Sequence, residues 1–98
     1  MALNISIAGV AWYRREDWLQ IVAVMDDGDK LPATYEKWLY RAENTVKTFE
    51  RQGVIVYRVE IDPGTFPAWC KSHGLNVDAK ARMEFANVHA AGMHRQKH

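Results

Sequence analysis

Residues 54–75 run VIVYRVEID and then PGTFPAWCKSHGL, and this stretch most limits the folds open to the chain. Ile55, Tyr57, Val59 and Ile61 alternate with Val54, Val56, Arg58 and Glu60. Period-2 alternation of β-branched and aromatic residues marks a half-buried strand. The second set begins apolar and ends charged. The strand is therefore expected to be covered on both faces at 54–56 and wet on one face at 58–60. Asp62-Pro63-Gly64 stops it, because Pro has no N–H for a ladder and Gly permits a reversal. Thr65 is then expected to cap a short helix with Pro67 in its first turn. Phe66, Trp69, Cys70 and His73 share one face of that helix. Gly74 is placed to close it in the left-handed conformation, with Leu75 folding back.

A strand needs a partner, since its backbone groups would otherwise stand unpaired. Residues 4–12, NISIAGVAW, are the internal candidate, although Gly9 and Ala11 weaken them as a strand. The other candidate is a second copy of the chain. Residues 15–25 read as a helix with Trp18, Ile21, Val22 and Met25 on one stripe, followed by the polar loop Asp26-Asp27-Gly28-Asp29. A longer helix is expected to open at Pro32. Tyr35, Trp38, Leu39, Ala42, Val46 and Phe49 line its apolar face, Gly53 closes it, and this face should cover one side of the strand. Asp78 is a candidate N-cap for a last helix over 79–91, with Ala81, Phe85 and Val88 on one face. Gly92 is expected to end the order, leaving 93–98 as a flexible tail. The fold class is α+β and mostly helical: about four helices around a small two-stranded β element centred on 54–61, in a single domain.

Composition narrows the function classes. The 98 residues, 48% hydrophobic, can bury a core without disulfides or metal. A net charge of +1 gives no global pull towards nucleic acid or an anionic membrane. The single cysteine cannot form an intramolecular disulfide. Met1-Ala-Leu-Asn has neither the basic start nor the apolar run of a secretory signal, and no stretch is long enough to span a bilayer. A cytoplasmic setting is expected, and the Asn4-Ile5-Ser6 triplet is taken as chance.

One resemblance emerges over 35–86, about half of the chain. Tyr35, Trp38 and Ala42-Glu43 precede a strand ending in Ile61-Asp62. Phe66, Trp69-Cys70 and Gly74 follow, then Asp78, Ala81-Arg82 and Phe85-Ala86. This pattern resembles a set of short bacterial proteins to which no activity is attached. The resemblance implies a shared fold and no reaction, cofactor or partner.

Each chemistry-bearing group has a plainer reading. Cys70 and His73, at i and i+3, could form a nucleophile and base. Phe66 and Trp69 beside them favour a neutral, buried thiol, and His73 suits a helix C-terminus. Cys70, His73, His89, His94 and His98 contain metal-ligating atoms but no paired CxxC spacing, so no metal or other cofactor is expected. Asp26, Asp27 and Asp29 fail as a calcium loop, because the closing position twelve residues on from Asp26 is Lys37. They read as a solvated, helix-ending loop. Trp12, Tyr13, Arg14 and Arg15 form an aromatic-basic cluster, which with Lys80 and Arg82 is the candidate interaction surface. No phosphate-binding glycine loop, nucleophile elbow or zinc-protease helix motif occurs.

The sequence therefore points first to a small, non-catalytic protein-interaction module with an unidentified protein partner, associating with itself through a free strand edge. A nucleic-acid-binding accessory protein is the alternative, and a thiol enzyme at Cys70 ranks last. Whether Arg14, Arg15, Lys80 and Arg82 converge on one face separates the first two. Trp38, in the middle of the best-defined stripe, carries the first prediction. Trp38→Ala should cost about 3–5 kcal/mol of unfolding free energy. A melting temperature within a few degrees of the parent would show that this face is not core.

Overall fold

The structure is a computed structural model and describes residues 5–97. Asn4 and His98 lie outside the described residues. The expected α+β architecture is present: four helices around a two-stranded parallel sheet. Strand β1 (Ile7–Trp12) pairs with β2 (Ile55–Glu60) in the register Ile7↔Ile55 through Trp12↔Glu60. Between them the chain crosses over through α1 (Trp18–Val24) and the long α2 (Tyr35–Arg51). A short α3 (Phe66–Ser72) and a long α4 (Ala79–Lys97) follow β2. The segment weakened by Gly9 and Ala11 is thus the strand's internal partner.

Local chemistry sets the helix ends. Helix α2 starts at Tyr35 and not at Pro32, because Thr34 is extended and its Oγ1 accepts the Lys37 N–H at 3.1 Å. Helix α3 is not capped by the Thr65 side chain. Asp62 does that work: its Oδ1 accepts the Gly64 N–H at 2.8 Å and its carbonyl accepts the Phe66 N–H at 2.9 Å. Asp78 caps α4 as expected, its Oδ1 accepting the Ala81 N–H at 3.1 Å. Gly53 (φ 80°) and Gly74 (φ 67°) close α2 and α3 in the same way. In each, the N–H two residues past the cap returns to the last turn, Val54 to the Phe49 carbonyl and Leu75 to the Cys70 carbonyl.

The two sheet faces are covered by different helices. Trp38 of α2 meets Trp12 edge-on at a ring separation of 5.2 Å, which puts α2 on the face of the even-numbered strand residues. The odd-numbered face, with Tyr57 and Val59, packs against Ala86 and Ala90 of α4. Ile55 is 40% exposed, so the start of β2 is less covered than its apolar pattern implied, while Arg58 and Glu60 are exposed as expected. Helix α4 lies mainly along β1. It can do so because Gly9 has no Cβ; one there would overlap the Ala86 carbonyl and touch the Ala90 side chain.

Two expectations for α4 are corrected. The helix continues through Gly92 to Lys97, so the order does not end at Gly92 and residues 93–97 are helical. A mid-helix Gly costs about 1 kcal/mol relative to Ala. A tertiary contact offsets it, since the Tyr57 hydroxyl and His94 Nδ1 share a 2.8 Å hydrogen bond. Val88 is 62% exposed and does not share the buried face. Ala81 packs in the cluster that contains Phe66 and Cys70, whereas Ala86 and Ala90 face the sheet. The buried side of α4 therefore changes along its length, and no single stripe marks it.

Gly9→Ala should destabilise the fold by about 1–3 kcal/mol, because the new methyl meets helix backbone that only a shift of α4 can clear. Chemical denaturation checks this, and an unchanged midpoint would show that α4 is not held against Gly9.

Candidate interaction groove

The parallel register dictates where the free backbone groups point. The Ile55 N–H donates to the Ser6 carbonyl at 2.9 Å and the Ile61 N–H to the Trp12 carbonyl at 2.9 Å. Even-numbered residues of β1 therefore bond to β2. Ile7, Gly9 and Ala11 direct their N–H and C=O groups to the opposite edge. That edge forms the floor of a groove of about 430 Å³. One wall is α2, with Trp38, Arg41, Ala42, Thr45 and Phe49. The other is α4, with Arg82, Met83 and Asn87. No residue of β2 lines it. Asn87 Oδ1 accepts the Gly9 N–H at 2.9 Å, so a side-chain amide stands where a third strand would place its carbonyl.

The inner end of the groove is anchored by an ion pair absent from the sequence reading. Arg82 donates from both terminal nitrogens to Asp27, at 2.7 and 2.9 Å, and is only 9% exposed. Arg82 hydrogen bonding holds the Asp27 carboxyl below its usual range. Tyr13 is buried beside the pair, and that burial pushes its hydroxyl up to about 12. The neighbouring Asp26 exchanges hydrogen bonds with Val77, its N–H to the Val77 carbonyl at 2.7 Å and its Oδ2 from the Val77 N–H at 3.1 Å. The acidic loop is thus not merely solvated; it clamps the crossover to the start of α4. Asp27 and Arg82 are 55 positions apart, and no local pattern links them.

The expected aromatic-basic surface is not assembled as one patch. Tyr13 is 3% exposed and belongs to the core. Trp12 is half-buried against Trp38, with the Arg58 guanidinium 4.8 Å from its ring centroid. Arg14 pairs with Asp17 at 2.9 Å and reaches Glu60 at 3.7 Å. Arg15 pairs with Glu36 and lies over the Tyr35 ring. Lys80 is exposed in a shallow depression that it shares with Asp26, Asp27, Asp29 and Asp78. Tyr13 and Arg82 come together, and the other cations stand among separate carboxylates.

Cys70 is fully buried, and burial raises its thiol, with Asp78 and Asp26 adding to the effect. His73 stacks on Trp69 at 4.1 Å, and its Nδ1 lies 2.9 Å from the Trp69 carbonyl at the end of α3. His89 repeats the arrangement on Phe85, at 4.0 Å between rings and 2.8 Å to the carbonyl. Among the described residues no three His, Cys, Asp or Glu side chains gather as a metal site, and no helix is long and apolar enough to cross a membrane.

The Asp27–Arg82 pair predicts a pH effect of defined sign. A carboxyl held low in the folded state stabilises fully above its unfolded range, about pH 4, and loses that contribution as pH falls through the lower folded value. Melting temperature should fall more steeply on acidification in the parent than in Asp27→Asn. At neutral pH the variant should be weaker by about 3 kcal/mol, because it leaves a buried guanidinium without its counter-ion. Parallel pH profiles would show that the pair contributes nothing.

The chain matches no protein-family model, no curated protein and no solved structure.

Proposed function

We propose that this chain is a small, non-catalytic protein-interaction module that docks an extended segment of a partner along the free edge of β1. The observation that carries this reading is the edge itself. Backbone donors and acceptors face an apolar groove whose helical walls would cover an added strand on both sides. Edge addition supplies main-chain hydrogen bonds for affinity, and the walls read alternate side chains. A cytoplasmic setting is part of the same reading, in keeping with the resemblance to short bacterial proteins. A second copy of the chain is the other occupant such an edge would accept.

The alternative, a nucleic-acid accessory role, draws less support. Phosphate binding needs cations free to neutralise a backbone. Arg14, Arg15 and Arg82 each already have a carboxylate within ion-pair distance. A thiol enzyme at Cys70 would need an accessible thiolate, and burial works against both requirements.

A photo-crosslinking side chain placed at Thr45, on the groove wall, should give adducts in the native host. The same side chain at Leu19, which is 83% exposed and does not line the groove, should not. Adduct mass separates a foreign partner from a second 11.3 kDa copy. Identical adducts at both positions, or none at either, would overturn docking at this edge.

A further inference from the structure

We infer that the occupant of the β1 groove is an extended, largely apolar segment of another protein that carries an Asp or Glu opposite Arg41. The inference rests on the reading of the β1 edge as a docking site and adds the chemistry of what docks. Among the described residues, Arg41 and Arg82 are the only charged side chains lining the groove, and no carboxylate lines it. Arg82 is spent on Asp27. Arg41 is exposed and has no carboxylate partner among the described residues. Glu36, which shares a neighbouring surface depression with Arg41, is taken by Arg15, and Lys37 adds a second cation there. The α2 wall therefore presents positive charge that the chain itself does not neutralise.

Charge also decides against a second copy. A twofold contact along this edge would bring together two identical grooves, each with an unneutralised Arg41 and neither with a carboxylate among the described residues. Like charges brought into an interface without counter-ions oppose it. An acidic partner supplies the missing ion.

The strand period fixes where the acidic residue falls. Side chains of an added strand point alternately to α2 and α4. On the α2 side they meet Arg41 and Thr45 among Trp38, Ala42 and Phe49, and on the α4 side they meet Met83, which is 59% exposed, beside Arg82 and Asn87. An acidic residue therefore belongs to the α2-facing phase, opposite Arg41, with apolar residues against Trp38, Ala42, Phe49 and Met83. The entering strand displaces the Asn87 carboxamide from the Gly9 N–H and replaces its hydrogen bond with a main-chain one.

The test is selection of random displayed peptides of about ten residues against the full chain and against Arg41→Glu, a solvent-exposed substitution. Selected peptides are then mapped by hydrogen exchange. The parent should enrich peptides with an Asp or Glu among apolar residues, and these should slow exchange of the Ala11 N–H. Arg41→Glu should bind them about tenfold more weakly and select basic residues instead. Peptides that protect Ala11 but show no acidic preference, or are selected equally by both proteins, overturn the charge inference and leave edge docking standing. Peptides that bind without protecting β1 overturn both. A concentration-dependent dimer that itself protects Ala11, with no peptide selected, assigns the groove to a second copy and overturns the inference.

Discussion

The missing side chain of Gly9 is the constraint on which the other contacts depend. Any larger residue would collide with the Ala86 carbonyl, and α4 could not lie along β1. With α4 in place, three tertiary contacts follow along its length. Arg82 reaches Asp27 near the start, Asn87 reaches the Gly9 N–H in the middle, and His94 reaches the Tyr57 hydroxyl near the end. Ala86 and Ala90 complete the close approach, since only small residues fit between helix and sheet backbone.

The other sheet face is held by aromatic packing. Trp38 contacts the rings of Trp12, Tyr13, Trp18 and Tyr35 at centroid separations from 4.7 to 6.1 Å. Such rings combine large apolar area with offset and edge-on geometry, which favours one arrangement over a fluid cluster. The same cluster places α2 beside β1 and so builds one wall of the groove. Stability and the candidate interaction surface therefore share their scaffold. Arg14, Arg15 and Arg82 are drawn into separate ion pairs by Asp17, Glu36 and Asp27, and Arg41 is the cation left on the groove wall.

Local sequence rules specified the elements well. Period-2 alternation located β2, the Trp38 stripe located α2, and Gly53 and Gly74 located two helix ends. These signals lie within a few residues of the structure they encode. Asp78 as an N-cap is another of this kind, because a cap is decided by the side chain and the three residues after it. The fold class followed, since strand, helix and turn signals agreed with one another.

What the tertiary structure alone decided involves residues far apart in the chain. Gly9 read as a weakness in a strand until α4 was placed against it. Gly92 read as a helix end, yet the contact between His94 and Tyr57 holds the helix beyond it. Asp27 read as one of several solvated carboxylates, and burial with Arg82 made it an anchor. The groove is the extreme case: its floor comes from β1, its walls from α2 and α4, and its charge from a single arginine whose local sequence is unremarkable. Periodicity reports which face of an element is apolar. It carries no information about which other element covers that face, or which backbone edge remains open once the packing is complete.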